Sequence, residues 1–118
     1  MNRTRFSRND RLTRPAEFQR VFSHPVKIGN RLFTVLACPN ELDHARLGIA
    51  VSKKNVRKAV ARNRIKRMIR ESFRVMRNQL GALDIVVIAR RGADVESRGT
   101  LRDTLNEQWT RLAEKCAQ

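Results

Sequence analysis

The most constraining feature of this chain lies in residues 53–77, where eleven basic residues meet a single acid, Glu71, for a net charge of +10. Residues 56–77 of that window read VRKAVARNRIKRMIRESFRVMR. At about 100° per residue on an α-helix, Ala61, Ile65, Met68, Ile69, Ser72 and Met76 gather on one side. Asn63, Arg64, Lys66, Arg67, Arg70, Arg74 and Arg77 gather on the other, with Arg62 at the margin. The spacing predicts a long helix with one face on a core and the other a cationic ridge. Like charges four apart on a helix cost about 0.2–0.5 kcal/mol per pair. Solvated helix faces ordinarily relieve this by mixing Glu with Lys, and here the mixing is absent. The excess of Arg over Lys points further toward phosphate, because a guanidinium forks onto phosphate oxygens and stacks on bases.

The whole chain has the same bias. Its 118 residues carry 26 Lys+Arg against 11 Asp+Glu, a net charge of +15, with 41% apolar residues. That length and apolar content suit one domain with one modest core. The self-repulsion calls for a polyanionic partner, and nucleic acid comes first because neutralised phosphates release counterions. A membrane surface fits less well. The longest purely apolar stretch, residues 85–89, has only strand length, and no signal peptide is read. Cys38 and Cys116 form no CxxC or Cys/His cluster, and His24 and His44 are isolated. A zinc module is therefore not expected, and the thiols read as reduced in a bacterial-type cytosol. Residues 94–118 hold five acids and four bases, so the partner is expected on the first two-thirds of the chain and not on the C-terminal helix.

Residues 1–14 are polar and basic and read as a mobile arm that orders on RNA, leaving residues 15–118 as a single domain. Pro15 opens a short helix with Phe18, Val21 and Phe22 on one face, and Pro25 stops it. Residues 32–38 read as a strand. Residues 46–52 alternate, with Leu47, Ile49 and Val51 on one side. Residues 84–89 are apolar on both faces, as in a central strand. Beyond Gly99, Leu101, Leu105, Trp109 and Leu112 recur at helical spacing, with Trp109 as a core anchor. The order is α-β-β-α-β-α, a small α/β (α+β) sandwich with helices packed on a sheet. Phe33, Val35 and Phe73 are assigned to the core.

A single basic helix can enter a DNA groove, but this one is flanked by strands instead of a helix-turn-helix partner, and base-reading residues are scarce apart from Asn63. Phosphate contact that follows the shape of a folded RNA is the expected mode.

The segment Ala61-Arg62-Asn63-Arg64-Ile65-Lys66-Arg67, with Met68-Ile69-Arg70-Glu71-Ser72-Phe73-Arg74 after it, resembles the "RNR" helix of the bacterial ribonuclease P protein family. Gly48-Ile49-Ala50-Val51-Ser52-Lys53-Lys54 resembles the strand and turn leading into that helix. Arg11-Leu12 with Glu17-Phe18-Gln19-Arg20-Val21-Phe22 resembles the first helix, and Asp84-Ile85-Val86-Val87-Ile88-Ala89-Arg90 the third main strand. The similarity runs from about residue 11 to residue 109, in the family's order.

The resemblance implies a left-handed βαβ crossover through the basic helix, contrary to the usual hand. It implies that catalysis belongs to a partner RNA, whose bound Mg²⁺ activates water for hydrolysis of a precursor-tRNA phosphodiester. No cofactor and no catalytic group are then expected on the protein, which screens phosphate charge and lowers the Mg²⁺ demand. It implies one RNA-contacting region of Lys53, Lys54, Arg57, Arg62, Asn63, Arg64, Lys66, Arg67 and Arg70 facing the catalytic RNA. A second is a cleft for the single-stranded 5′ leader, at Phe18, Phe22 and Leu36. Many relatives carry an aromatic where this chain has Leu36. A third, a metal-binding loop, has no acidic cluster to mark it here. Residue patterning alone leaves Phe18 and Phe22 open between core and cleft, with one of the two expected in the core. A cytoplasmic monomer binding its RNA one-to-one completes the expectation.

A ribosomal protein or general RNA chaperone fits the composition equally and differs only in lacking the ARNRIKR pattern. A protein nuclease would need converging carboxylates or paired histidines; Asp84, Glu71 and Asp94 are scattered along the chain.

Overall fold

The structure, a computed structural model, describes residues 10–116. Helix α1 spans Pro15–Ser23. Proline's fixed φ suits its first turn, and the Glu17 carboxylate reaches back to accept the Thr13 and Arg14 backbone N–H groups, each at 2.9 Å. Strand β1, Val26–Gly29, follows. The β1–β2 turn is held by Asn30, whose Oδ1 accepts the Leu32 and Phe33 N–H groups at 2.9 Å. Then come β2 (Phe33–Pro39), β3 (Arg46–Ala50), α2 (Ala59–Leu80), β4 (Leu83–Ala89), a 3₁₀ turn (Ala93–Val95) and α3 (Arg98–Cys116). Gly81, at φ 76°, ends α2 in backbone space that side chains disfavour.

The expected order of six elements is present, with β1 added between α1 and β2. Sequence gave little signal for β1, because VKIG has two apolar residues between Pro25 and Asn30. The sheet runs β1-β2-β4-β3. β2 pairs antiparallel with β1 and β4, whereas β3 lies parallel to β4, so α2 is the crossover of a β3-α2-β4 unit. The central position of β4 explains its apolar character on both faces.

Strand alternation divides the core. One face of the sheet carries Phe33, Val35, Leu47, Ile85 and Val87, and α2 and α3 cover it with Ile65, Ile69, Phe73, Leu105, Trp109 and Leu112, all buried. Phe73 and Trp109 meet edge to face at 6.1 Å. The other face carries Leu36, Cys38 and Val86, buried with Leu12 and with Val21 of α1.

Residues 10–12 belong to this packed body, which corrects the expected arm of residues 1–14. Arg11 pairs with Leu47 as a parallel bridge at the outer edge of β3, the Leu12 N–H donates to the Leu47 carbonyl at 2.9 Å, and Leu12 is buried. An apolar side chain with a vacant place beneath α1 outweighs the polar bias of its neighbours. The remainder of that arm, residues 1–9, lies outside the described residues.

Candidate nucleic-acid interface

α2 follows the expected amphipathic pattern for most of its length. Ile65, Ile69, Ser72, Phe73 and Leu80 are buried, while Asn63, Arg64 and Arg67 are exposed and Lys66, Arg70 and Arg74 half-buried. Glu71, the acid on this surface, pairs with Arg74 at 2.9 Å. The lead-in turn displays Lys53, Lys54 and Arg57, all exposed. It is anchored by the Asn55 side-chain amide, which donates to the Ala89 carbonyl at 3.1 Å at the end of β4.

Two arginines differ from the expected ridge. Arg77, placed on the outer side by angle alone, is 4% exposed and pairs with buried Asp10 at 2.6 Å. Residues 10–12 run beside β3 and cover that flank of the helix, so the side chain that would have faced solvent acquires a carboxylate instead. Arg62 is half-buried and donates to the Val56 and Arg57 carbonyls at 3.0 and 2.8 Å. It therefore also fixes the turn that aims Lys53, Lys54 and Arg57.

The charge balance places no cationic surface on the C-terminal helix, yet Arg98 and Arg102 of α3 line one groove with Asn63, Arg64 and Arg67 of α2. The two helices run side by side in the same direction, Arg64 near Asp94 and Ser72 against Asn106 and Trp109, which brings the basic start of α3 beside the basic start of α2. Sequence separation conceals this, since the local balance of residues 94–118 averages two basic residues here with acids elsewhere.

The second expected region lies under α1. Phe18 is half-buried, its ring over Gly48 of β3. Phe22, one turn later, is 47% exposed. Leu36 is buried in the floor beside Val86, and Thr34 and Ile88 on the same face are only half-buried. Of the two phenylalanines, Phe18 is thus the packed one and Phe22 the accessible one. A Cβ on Gly48 would stand 2.5 Å from Phe18 Cε1 and 2.7 Å from Cζ. Gly48→Ala is accordingly expected to displace that ring and cost about 1–3 kcal/mol, read as a lower midpoint in denaturant unfolding.

What seats α1 over the sheet is a buried polar cluster absent from the expected site. Asp84, the second residue of β4, is fully buried and receives Arg46 as a fork, Nε to Oδ1 and Nη2 to Oδ2, both at 2.8 Å. Arg20 of α1 donates to the same Oδ2, and its Nη1 donates to the Pro39 carbonyl at 2.9 Å. Asn40 donates to Oδ1 at 2.9 Å, and Arg46 also reaches Glu17 of α1 at 2.8 Å. Burial pushes the Asp84 carboxyl up, but the Arg46 and Asn40 hydrogen bonds and the two guanidinium charges outweigh it and hold it below the usual carboxylate range. Glu17 is likewise held low, chiefly by the Arg14 and Thr13 backbone N–H groups. The available signal was an Asp at the head of an otherwise apolar strand, a placement that requires a buried partner.

The buried carboxylates are thus occupied by arginine, and among the described residues no three metal-ligating side chains converge. What remains accessible is a guanidinium-rich helix face, a basic turn and an aromatic-edged apolar cleft. All three are suited to phosphate and base.

The family model described as Ribonuclease P matches residues 6–113. The chain belongs to the ribonuclease P protein family. It is 50% identical over 114 residues to the ribonuclease P protein component of Idiomarina loihiensis, covering 96% of this chain and 91% of that one. It is 46% identical to that of Methylococcus capsulatus over 95% of this chain and 88% of the relative. Among solved structures, the Staphylococcus aureus RNase P protein superposes with a TM-score of 0.80 at 42% identity, over 86% of this chain and 93% of that one. The Thermotoga maritima RNase P protein gives 0.72 at 34% identity, over 85% and 96%.

Proposed function

We propose that this chain is the RNA-binding subunit of a ribonuclease P holoenzyme that removes the 5′ leader from precursor tRNA, with the catalytic groups on the RNA. The observation that carries this is the outward side of α2, where Arg64 and Arg67 are exposed in a chain matched to the family from residue 6 to residue 113. Lys53, Lys54, Arg57, Asn63, Lys66 and Arg70 extend the same surface. These side chains neutralise phosphates of the folded catalytic RNA, so less Mg²⁺ is needed to offset its self-repulsion. The Mg²⁺ that activates water is held by the RNA. One protein acts with one RNA, in the cytoplasm.

The cleft between α1 and the sheet takes the single-stranded leader. Phe22 stacks a base at its edge, Phe18 supports the wall, and Leu36 supplies an apolar floor in place of a ring. Stacking on an aromatic side chain contributes about 1–3 kcal/mol per base. Phe22→Ala is expected to weaken binding of leader-bearing precursor by roughly tenfold, leave mature tRNA binding unchanged, and barely alter the melting temperature. Equal loss with both substrates would remove the leader assignment.

The test of the function is single-turnover cleavage of precursor tRNA at low Mg²⁺ with catalytic RNA alone and with protein added. Acceleration by the protein is expected. An unchanged rate would favour a general RNA-binding role over a part in this reaction.

A further inference from the structure

We propose that the groove between α2 and α3 binds an unpaired nucleotide of the partner RNA, so that α3 is part of the RNA surface. The inference rests on the RNA-subunit reading above and assigns a site to a helix that its charge balance had set aside.

The groove encloses about 670 Å³, within the roughly 300–1,000 Å³ of cavities that hold a ligand of drug or nucleotide size. Its cations are Arg64 and Arg67 on one wall and Arg98 and Arg102 on the other. Glu71, the acid among its lining residues, is engaged by Arg74 at 2.9 Å. Arg64 is steadied by a bond from its Nη2 to the Asp94 carbonyl at 3.1 Å.

Folding does not account for this arrangement. Arg98 and Arg102 stand in the first turns of α3, whose first turn has no acid, where the positive end of a helix dipole disfavours cations. The ion pair of Arg102 with the neighbouring Asp103 is long at 3.7 Å and exposed, and it contributes little to the fold. Val60 and Val75 border the groove at 80% and 69% exposure, and Met68 lies between them. Apolar edges beside a cluster of guanidinium groups suit a base plane flanked by phosphate, since arginine and aliphatic side chains both pack on bases.

The groove also presents hydrogen-bond donors in a fixed direction. The Trp109 indole N–H donates to Ser72 Oγ at 2.7 Å, and the Ser72 hydroxyl donates onward to Asn106 Oδ1 at 3.3 Å. With Oδ1 so used, Asn106 offers its Nδ2 hydrogens to whatever enters. A site of four arginines and an oriented amide donor selects a ligand rich in acceptors. Phosphate oxygens and the exposed edge of an unpaired base meet that description, whereas the edges of a paired base are partly consumed.

The test compares three charge reversals of equal size in binding to the catalytic RNA across a salt series, each first checked for an unchanged circular dichroism spectrum. Arg98→Glu with Arg102→Glu is expected to weaken affinity at least tenfold and lower the log–log salt slope by about 1–2. Arg111→Glu with Lys115→Glu, on the same helix outside the groove, is expected to change affinity less than threefold. Arg64→Glu with Arg67→Glu is the reference for the α2 surface. If the Arg98/Arg102 pair behaves like the Arg111/Lys115 pair while the reference still weakens binding, the groove proposal fails and the RNA-subunit reading stands. If the reference also binds like wild type, that reading fails first. A photo-crosslinker on Val75→Cys in a Cys116→Ser background is expected, in the assembled holoenzyme, to reach one or two unpaired nucleotides. Crosslinks only to duplex, or none, would overturn the proposal.

Discussion

Reversing Arg64 and Arg67 to glutamate is expected to weaken binding to the catalytic RNA by roughly 100-fold at moderate salt, while the protein stays folded. Both side chains are exposed, so the core beneath them is untouched. Hydrogen bonds to charged groups contribute about 1.5–3 kcal/mol each, and losing two accounts for that factor before the added repulsion is counted. The affinity should also become less sensitive to salt, because two fewer counterions are released per binding event. A double variant that binds like wild type with an unchanged slope would show that the ridge does not touch RNA.

The second large effect is on stability. Asp84→Asn is expected to destabilise the fold by about 3–5 kcal/mol, since it leaves the Arg46 and Arg20 guanidinium groups facing a neutral amide at a buried site. The melting temperature should fall by roughly 10 °C or more. The sign with pH follows from the depressed carboxyl of Asp84. A group whose pKa is lower folded than unfolded contributes stability above its unfolded value, about 3.9 for Asp. That contribution is lost as pH falls through the folded value. The gap between wild type and variant should therefore be full at neutral pH and narrow in acid below about pH 4. Because Arg20 and Glu17 belong to α1, the variant should also loosen that helix and weaken leader binding. A melting temperature equal to wild type at pH 7 would contradict the role given to the cluster.

Elements with strong periodicity were legible from sequence. α2, β4 and α3 carry uninterrupted apolar spacing, and their burial follows it, with Trp109 and Phe73 fully enclosed. β1 was not legible, because four residues with two apolar side chains hold no period and their pairing with β2 is a tertiary event. The outward side of α2 follows the spacing at Asn63, Arg64 and Arg67, which stay exposed although they border α3. It was misread at Arg77, because helical angle cannot reveal that residues 10–12 return to cover that flank. Asp84 and Arg46 are 38 residues apart, and Arg98 lies well beyond α2 in the chain. Both the clamp under α1 and the cationic groove are products of packing, which composition and spacing do not encode.

The central claim is tested most directly by tethering an iron chelate to single cysteines and mapping hydroxyl-radical cuts in the bound catalytic RNA. Glu71→Cys places the probe on the outward side of α2, and Arg111→Cys places it on an exposed position of α3 outside the groove. Dense, localised cuts from position 71, with few from position 111, are the expected result. Strong cutting from position 111 with none from position 71 would mean that the RNA lies on a different face of the protein.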